Sequence, residues 1–542
     1  MRMVSALLLL AAFAALEAPA LSADDPVHAL SRAVADVAIE SETVGRWPMH
    51  ALLGTQRVDQ ALEITDDEQR TEAERWWAEQ IPLFDCPDEA WKRCWYYRWF
   101  LVRVNYAEED STPGFYEGKR GHFKRHITYS APHIMDETRW LRDSKYAYGM
   151  AEILGRRREP SGRRFGGYTH WIPATLWGTY CVHPDLKMLA RLVPAWAEDT
   201  RTAFPGDLDP DRPDFDYLLE PPNHWRTGME WQPAWFYFAG YDRGQEARLW
   251  RPDYTAYYYA NAQAVAAAYR ALSDVDEGLA KEFDALAARI KAAMLRHMWD
   301  PETQYFYSLR VGDGAKAWAK EVVGVYPFVF GIPEREHLGA FRSLLSPLEF
   351  WGPWPVTTCS MLCPMFTPRV HLCNWNGPVW PHAETLVANA LGQAVRTYQS
   401  PLVTRDHLFR FLDAYTRLHF EDKGAWRQPN VHEEGDADTG DMQGCPDYFH
   451  STYCDLVISL VGGLVPRPDD DVELSPTAAV AWDHFRIDRI PYHGHQLSIV
   501  WDRRADGERY AGAPKGYSLY VDGRLVGTRP RLEAVTYRGA AK

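Results

Sequence analysis

A series of long segments with the apolar period of an α-helix most constrains the fold of this chain. From Leu279 to Met298, apolar residues recur at steps of three and four, as on a helix that buries one face. The same period is found in His133 to Leu154, Ala256 to Leu272, His382 to Tyr398 and Thr404 to His419. No strands alternate with these segments, which argues against a parallel α/β sheet. We therefore predict a mainly α fold of helical hairpins in a closed ring. An open helical solenoid is the alternative, although no fixed-period repeat supports it.

One segment fits the helical pattern less well. Trp171 to Ala197 contains Pro184 and Pro194, and each proline removes a backbone donor and clashes with the preceding turn. We predict that both prolines break or kink this helix.

The character of the sequence changes after Gly463. Short alternating stretches follow, such as Leu497 to Trp501 and Tyr517 to Val521, and Asp522-Gly523 is typical of a hairpin turn. We predict a small β-sandwich-like domain at residues 464–542, packed on a helical domain at residues 95–463. Residues 24–94 are interpreted as an N-terminal extension with one helix from Thr65 to Gln80.

The N-terminus has the order of a secretory signal peptide. Arg2 supplies a positive charge, Val4 to Leu16 is almost wholly apolar, and small residues follow at Ala18 to Ala20 and at Ser22-Ala23. The apolar run is shorter than the roughly 20 residues that cross a bilayer, and no second run reaches that length. We predict that residues 1–23 are a signal peptide and that the mature protein is secreted or periplasmic, without a membrane span.

The composition indicates a class of partner. The net charge of −15 argues against nucleic acid, because binding to phosphates requires clustered Lys and Arg. The chain has 23 Trp, and 14% of its residues are aromatic. Since the C–H face of a pyranose stacks on aromatic rings, an acidic, Trp-rich, exported protein favours a carbohydrate partner. The sequence does not indicate an oligomeric state.

Eight cysteines raise the question of disulfides and metals. An even number in an exported protein permits disulfides, and the spacing favours Cys86 with Cys94 and a pair from the 359–373 group. Cys359, Cys363 and Cys373 lack a fourth ligand at zinc-finger spacing. We therefore expect neither a structural metal nor a cofactor.

The first segment suited to catalysis runs from Asn223 to Pro233. Glu230 lies between Met229 and Trp231, just after Gly228. Apolar rings exclude water, which raises the pKa of a carboxyl group and keeps it protonated, as a general acid requires. The alternative is an ordinary glutamate near a helix N-terminus.

The second segment runs from Asn430 to Gly440 and is dense in acidic residues, beginning with Glu433 and Glu434. Clustered carboxylates also suit calcium, but the spacing is not that of an EF-hand loop. A solvated acidic loop is the simpler alternative, yet aromatic neighbours such as Tyr448 are unusual for one. Together, the two segments offer the pair of carboxyl groups that glycoside hydrolysis needs.

A third segment, Trp375-Asn376-Gly377-Pro378-Val379-Trp380, precedes the helix that begins near His382. Trp375 and Asn376 are interpreted as a stacking platform and a hydroxyl ligand for a sugar. A core position for Trp380 is the alternative.

These segments resemble motifs of the inverting glycosidases with an (α/α)6 barrel, the group of the trehalases, family 63 α-glucosidases and mannosylglycerate hydrolases. The third segment is similar to their W-R-G-P-V/I-W motif. Residues 228–233 resemble the G-M-D-N-S-P motif of the general acid, and residues 433–440 resemble the E-N-Y-x-P-x-T-G motif of the general base. The turn at residues 299–307 is a fourth similarity, and all four occur in the order of the family.

The resemblance implies an (α/α)6 barrel, or six-hairpin toroid, with a small C-terminal β-domain. It makes residues 95–463 the catalytic domain of an inverting, exo-acting glycoside hydrolase. Glu230 would be the acid and Glu433 the base, with Glu434 in reserve and the carboxyl groups about 6.5–9.5 Å apart. The predicted substrate-binding residues are Tyr129, Trp171, Trp225, Arg226, Gln232, Trp375, Asn376 and Trp380.

The sequence also departs from these motifs. Glu230 stands where the trehalases have Asp, Asn376 replaces the motif arginine, and Glu434-Gly435 replaces the Asn-Tyr after the base. These changes leave the identity of the sugar open. Pro491 to His495 in the C-terminal domain is more similar to bacterial mannosylglycerate-hydrolase-like proteins, some of which, such as the family 142 β-L-arabinofuranosidases, trim plant polysaccharides.

Two other functions fit parts of the sequence. A polysaccharide lyase on a helical toroid would use Tyr129 or His224 as base and Arg226 to neutralise a uronate. A non-catalytic carbohydrate-binding protein would need the aromatic residues alone. The occurrence of both acidic motifs in order favours hydrolysis over either.

Overall fold

The structure, a computed structural model, describes most of the chain. It covers residues 48–107, 114–118, 126–156, 168–204, 214–272, 276–371, 373–503 and 509–539. The predicted signal peptide at residues 1–23 lies outside these residues.

The helical part of the chain folds as an (α/α)6 barrel, as predicted. Its helices are α1 Met49–Leu53, α2 Thr55–Leu62, α3 Asp67–Gln80, α4 Glu89–Val104, α5 Ala131–Thr138, α6 Lys145–Arg156, α7 Ile172–Tyr180, α8 Leu186–Thr202, α9 Pro252–Ala271, α10 Glu277–Ala293, α11 Ala340–Leu344, α12 Pro381–Arg396, α13 Arg405–Leu418 and α14 Cys454–Leu456. Consecutive helices pack as hairpins, α5 on α6, α9 on α10 and α12 on α13. No helix among the described residues is long and apolar enough to cross a membrane.

Most of the predicted helices are confirmed. The segment from Leu279 continues beyond α10 as one turn of π-helix at Met294–Met298, so its apolar face reaches the predicted end. Helix α13 begins at a capping box in which the Thr404 hydroxyl accepts a bond from the backbone N–H of His407. Helix α4 is buried along nearly its whole length and forms the core of the barrel.

One helix prediction is wrong in detail. His133 to Leu154 is two helices, since α5 ends at Thr138 and α6 begins at Lys145, whose backbone N–H donates to the Asp143 side chain. The chain breaks at Pro184, as predicted, and Asp185 caps α8. Pro194 lies inside α8 without ending it.

The strands are β1 Leu83–Asp85, β2 Tyr106–Ala107, β3 Gly114–Phe115, β4 Leu249–Trp250, β5 Trp299–Asp300, β6 Tyr305–Phe306, β7 Leu309–Arg310, β8 Glu434–Gly435, β9 Met442–Gln443, β10 Leu464–Val465, β11 Val472–Leu474, β12 His484–Tyr492, β13 His495–Asp502, β14 Gly516–Val521, β15 Arg524–Arg529 and β16 Val535–Tyr537. The C-terminal region contains a five-stranded antiparallel sheet in the order β1-β12-β13-β14-β15 and a three-stranded sheet in the order β10-β11-β16. The predicted hairpin is confirmed, since Asp522 and Gly523 both have positive φ between β14 and β15.

Strand β1 connects the beginning of the chain to its end. It precedes α4 and pairs with β12 of the C-terminal sheet through Phe84 opposite Ile487. The predicted boundary after residue 94 lies inside α4. The segment before the barrel is therefore continuous with the barrel wall and completes the C-terminal sheet.

Candidate active site

The thiol of Cys373 brings the two predicted catalytic carboxyl groups together. Its Sγ lies 3.4 Å from Oε2 of Glu230 and 3.9 Å from Oε1 of Glu433, within reach of a hydrogen bond to each. These two carboxyl oxygens are therefore at most 7.3 Å apart, the sum of 3.4 and 3.9. Both glutamates are half-buried. Two segments far apart in sequence thus form one site.

The segment around Glu230, here called the acid segment (residues 228–233), has an unusual backbone. Gly228 has φ +72°, and a Cβ there would lie 2.6 Å from the Tyr129 ring, so only glycine fits. The Glu230 carbonyl accepts a bond of 2.9 Å from the backbone N–H of Trp375. Burial raises the pKa of the Glu230 carboxyl to about 7, partly opposed by the Cys373 thiol and increased by repulsion from Glu433. This carboxyl can hold a proton near neutral pH.

A buried network of ion pairs contacts the end of the acid segment. Arg251, with no exposed side-chain surface, pairs with Asp253 at 3.1 Å and with Glu321 at 2.7 Å. The other oxygen of Glu321 accepts a bond of 2.7 Å from the backbone N–H of Ala234. Arg251 also donates to the side-chain oxygen of Gln232. The end of the acid segment is therefore tied to the start of α9.

The segment around Glu433, here called the base segment (residues 433–440), is held mainly by backbone contacts. Gly435 and Val379 exchange two backbone hydrogen bonds of 2.9 Å. The Glu433 carbonyl lies 2.9 Å from Nε2 of His450. A Cβ at Gly444 would lie 2.8 Å from the Cβ of Glu433, so the chain closes tightly over this glutamate.

Glu434 differs from its neighbour Glu433. Its side chain is buried, and burial followed by repulsion from Glu433 raises the pKa of its carboxyl to about 8, against two bonds from the backbone N–H groups of Asn374 and Cys373. Glu433, and not Glu434, is the glutamate that reaches the Cys373 thiol beside Glu230. The geometry favours Glu433 as the partner of Glu230.

A further carboxyl group, that of Glu117, is one that the sequence did not single out. It is 5% exposed and accepts a bond of 2.7 Å from the Tyr448 hydroxyl. Burial raises the pKa of Glu117 to about 7, opposed by bonds from Tyr448 and Ser130 and increased by repulsion from Glu433 and Glu230. The signal that could have found it is the one that marked Glu230, an acidic residue beside aromatic rings and a glycine.

The structure corrects the predicted sugar contacts of three residues. Trp375, Asn376 and Gln232 have no exposed surface, so they cannot contact a substrate in this conformation. Trp375 stacks on Trp380 with ring centroids 4.2 Å apart. The Asn376 side chain bonds to the Asn374 side chain and to a backbone carbonyl, and Gln232 bonds to Arg251. These residues pack behind the site.

Of the other predicted contacts, Tyr129, Trp171 and Trp380 are also buried, each at most 4% exposed. The Tyr129 ring stacks on His382 at 3.9 Å and forms a layer under the acid segment. Trp225 and Arg226 are exposed, Trp225 at 49%. Of the eight predicted substrate-binding residues, these two are exposed to solvent.

The cysteines and the acidic loop are arranged differently from the possibilities considered for the sequence. None of the eight cysteines, all of which lie among the described residues, is in a disulfide, so both predicted disulfides are wrong for this structure. Among the described residues, no group of three or more acidic, His or Cys side chains is arranged to hold a metal ion. Asp436 instead pairs with Arg369 at 2.8 Å and accepts a bond of 2.7 Å from the backbone N–H of Val370.

Two adjoining surface cavities of about 410 and 510 Å³ are not lined by any of these carboxyl groups. They share Arg417 and Trp426, and the first also includes Trp354. Arg417 lies over the Trp426 ring at 5.2 Å and Lys423 over the Trp354 ring at 4.8 Å. Since a cation occupies a face of each ring, the carboxyl cluster is the better candidate for the functional site.

Comparison with known proteins identifies the family of the chain and agrees with its fold. A family model for the mannosylglycerate hydrolase MGH1-like glycoside hydrolase domain matches residues 88–451, more than half of the chain. A solved sialidase is 25% identical with a TM-score of 0.77, over 91% of this chain and 45% of the sialidase. The chain therefore spans less than half the length of that protein.

Two more distant structures share the fold alone. The family 63 mannosylglycerate hydrolase of Thermus thermophilus, solved with Tris and D-glycerate, is 16% identical with a TM-score of 0.52, over 67% of this chain and 99% of that one. The family 78 rhamnosidase of Bacillus sp. GL1 is 12% identical with a TM-score of 0.54, over 81% of this chain and 41% of that one.

Proposed function

This chain belongs to the mannosylglycerate hydrolase MGH1-like glycoside hydrolases, and from that premise we propose that it is an exported, exo-acting enzyme that inverts the anomeric centre it attacks. Glu230 is the general acid and Glu433 the general base. The observation that carries this proposal is the Cys373 thiol, which lies within 3.9 Å of both carboxyl groups. Both carboxyl groups can therefore reach one glycosidic bond. Inversion rests on the resemblance of residues 228–233 and 433–440 to the acid and base motifs of inverting glycosidases.

The proposed reaction is a single displacement. Glu433 takes a proton from a water molecule, whose oxygen bonds to the anomeric carbon as the bond to the leaving oxygen breaks. Glu230 gives its proton to that leaving oxygen. The water proton ends on Glu433, and the released sugar has the opposite anomeric configuration.

The pKa values of Glu230 and Glu434 support these roles. A general acid must carry its proton at the working pH, and the pKa of Glu230 is raised to about 7. The pKa of Glu434 is raised to about 8, so Glu434 is protonated at neutral pH and unsuited to accept a proton from water. The alkaline limb of kcat/KM is expected near pH 7, because Glu230 loses its proton there.

Exo-action and export rest on separate grounds. The chain closes tightly over Glu433, where a Cβ at Gly444 would lie 2.8 Å from the Glu433 Cβ, and Glu117 and Glu434 are buried beside the acid and the base. A site enclosed to this degree suits the end of a glycan better than an open groove would. Export rests on the N-terminal sequence, in which a charge, an apolar run and small residues follow in the order of a signal peptide.

A screen for the substrate must cover several classes of sugar. The relatives named above include a mannosylglycerate hydrolase, a rhamnosidase and a sialidase. We propose a panel of aryl glycosides that includes α-mannosides, α-L-rhamnosides, β-L-arabinofuranosides and sialosides, followed by plant polysaccharides. Proton NMR of the first product formed then gives its anomeric configuration before mutarotation.

The largest expected effects are those of Glu230→Gln and Glu433→Gln. Each variant should lose about a thousand-fold or more in kcat on the best substrate of the panel, because each removes one proton transfer. Both should unfold at the wild-type temperature, since glutamine has the shape of glutamate. Glu384→Gln is the matched control, because Glu384 is also buried and burial raises its pKa. Neither Glu230 nor Glu433 is among the groups that shift this pKa, so the variant should be fully active.

Four results would contradict the proposal. Activity retained in either variant would remove that residue from its role. A product of unchanged anomeric configuration would indicate a retaining pair, which stands about 5–5.5 Å apart. An unsaturated product absorbing in the ultraviolet would indicate a lyase. Binding of a glycan without turnover would leave only the non-catalytic alternative.

A further inference from the structure

Glu117 interacts with both carboxyl groups of the site, those of Glu230 and Glu433. Its carboxyl accepts a hydrogen bond of 2.7 Å from the hydroxyl of Tyr448, and its backbone carbonyl accepts a bond from the backbone N–H of Phe449. Tyr448 donates its backbone N–H to the carbonyl of Val431 at 3.0 Å, two residues before the base. Glu117 is therefore held on the base side of the site, where its charge acts on both catalytic carboxyl groups.

The charges around Glu117 belong to the same site. The titratable groups that interact with it are Tyr448, Tyr168, Glu230 and Glu433. A negative charge on Glu117 therefore opposes a negative charge on Glu230, and the interaction between two carboxyl groups is reciprocal. When Glu117 is ionised, Glu230 keeps its proton to a higher pH.

We propose that Glu117 is a positioning residue for the reaction: its buried carboxyl holds the Tyr448 hydroxyl beside the base segment and keeps a negative charge next to the proton donor, Glu230. This inference rests on the proposed function, because it takes Glu230 as the proton donor. Glu117 itself transfers no proton to or from the substrate.

The test is the pH dependence of kcat/KM in Glu117→Gln. Glutamine can still accept the bond from Tyr448 but carries no charge, so Glu230 should ionise at a lower pH. The alkaline limb is expected to move about 0.5–1 pH unit toward acid, with kcat at the optimum reduced less than about ten-fold. Glu384→Gln should leave the limb in place, which separates the loss of this charge from the loss of any buried carboxyl.

A second variant keeps the inference testable if Glu117→Gln does not fold. Tyr448→Phe removes a hydrogen bond that favours the ionised form of Glu117, so Glu117 should stay neutral to a higher pH. The alkaline limb should again move toward acid, by less than in Glu117→Gln.

The inference is overturned if folded Glu117→Gln has the alkaline limb of kcat/KM at the wild-type pH. If Glu117→Gln does not fold, an unchanged alkaline limb in Tyr448→Phe overturns it. The proposed function would survive that result, since it depends on the losses in Glu230→Gln and Glu433→Gln. If those two variants stay active, the proposed function fails whatever the pH profile of Glu117→Gln.

Discussion

The acid segment and the base segment reach the same thiol but are held in different ways. The acid segment ends on a buried ion network, in which Arg251 has no exposed side-chain surface. The base segment is held by paired backbone bonds between Gly435 and Val379 and by Arg369, whose side chain is 57% exposed. The acid segment therefore depends on buried charged side chains, and the base segment depends mainly on backbone hydrogen bonds.

This difference has an energetic consequence. A buried charge that loses its partner cannot be rehydrated, so damage to the network under the acid segment is costly. An exposed ion pair exchanges its partner for water at little cost. Stability and activity should therefore be far more sensitive to side-chain changes under Glu230 than around Glu433.

The strongest way to test this contrast is Arg251→Leu. The change leaves the carboxyl groups of Asp253 and Glu321 buried without their partner, which costs about 3–5 kcal/mol of folding free energy. It also frees Gln232 and so the end of the acid segment, and kcat should fall with stability. Urea unfolding and steady-state kinetics measure the two effects.

Arg248→Leu is the matched control, because Arg248 lies three residues earlier but pairs with Glu220 from an exposed position. It should unfold at the wild-type urea concentration and keep its activity. Equal stability of Arg251→Leu and Arg248→Leu would show that the buried network does not support the acid segment.

A matched pair of glycines gives the next largest effect. Gly228 and Gly440 both have φ +72°, and a Cβ would meet the ring of Tyr129 at 2.6 Å in the first and that of Trp354 at 2.5 Å in the second. Alanine at either position should cost about 1–3 kcal/mol. Only Gly228→Ala moves the backbone two residues before Glu230, so it should lose about a hundred-fold in kcat/KM. Gly440→Ala should lose less than about ten-fold, and the reverse order would refute the contrast.

The sequence predicted the carboxyl groups better than their surroundings. Glu230 and Glu433 lie within the residues that the family model matches. The helical period predicted hairpins in a closed ring because one face of each helix must be buried, and the family resemblance implied the (α/α)6 barrel. Arg251 has no comparable signal, since a proline at the first position of a helix is common and the arginine before it belongs to no motif. Its role depends on Glu321, which only the tertiary fold brings near.

The errors have physical causes of the same kind. Trp375 was interpreted as a sugar platform, and a sequence cannot distinguish a tryptophan that faces a ligand from one stacked on Trp380. The apolar period runs through residues 139–144, where the chain leaves the helix and the Asp143 side chain accepts a bond from the first backbone N–H of α6. Glu117 lies in a short segment without a recognised motif, and its partner Tyr448 is distant in sequence.

The smallest effect is expected from Arg369→Ala. The Arg369 side chain is 57% exposed and reaches the exposed Asp438 at 3.2 Å and the buried Asp436 at 2.8 Å. Without Arg369, the Asp436 carboxyl still accepts a bond of 3.3 Å from the side chain of Gln443, and the contact with Asp438 is replaced by water and salt. The backbone bond from Ala437 to the carbonyl of Pro368 remains at 2.7 Å, as does the bond from Val370 to Asp436. The variant should unfold at the wild-type temperature and keep kcat/KM within about three-fold.

Asp436→Ala, which also removes the acceptor for Val370, should lose more in both measurements. If Arg369→Ala is as damaging as Asp436→Ala, the base segment depends on its ion pair, and the contrast between the two sides of the site does not hold.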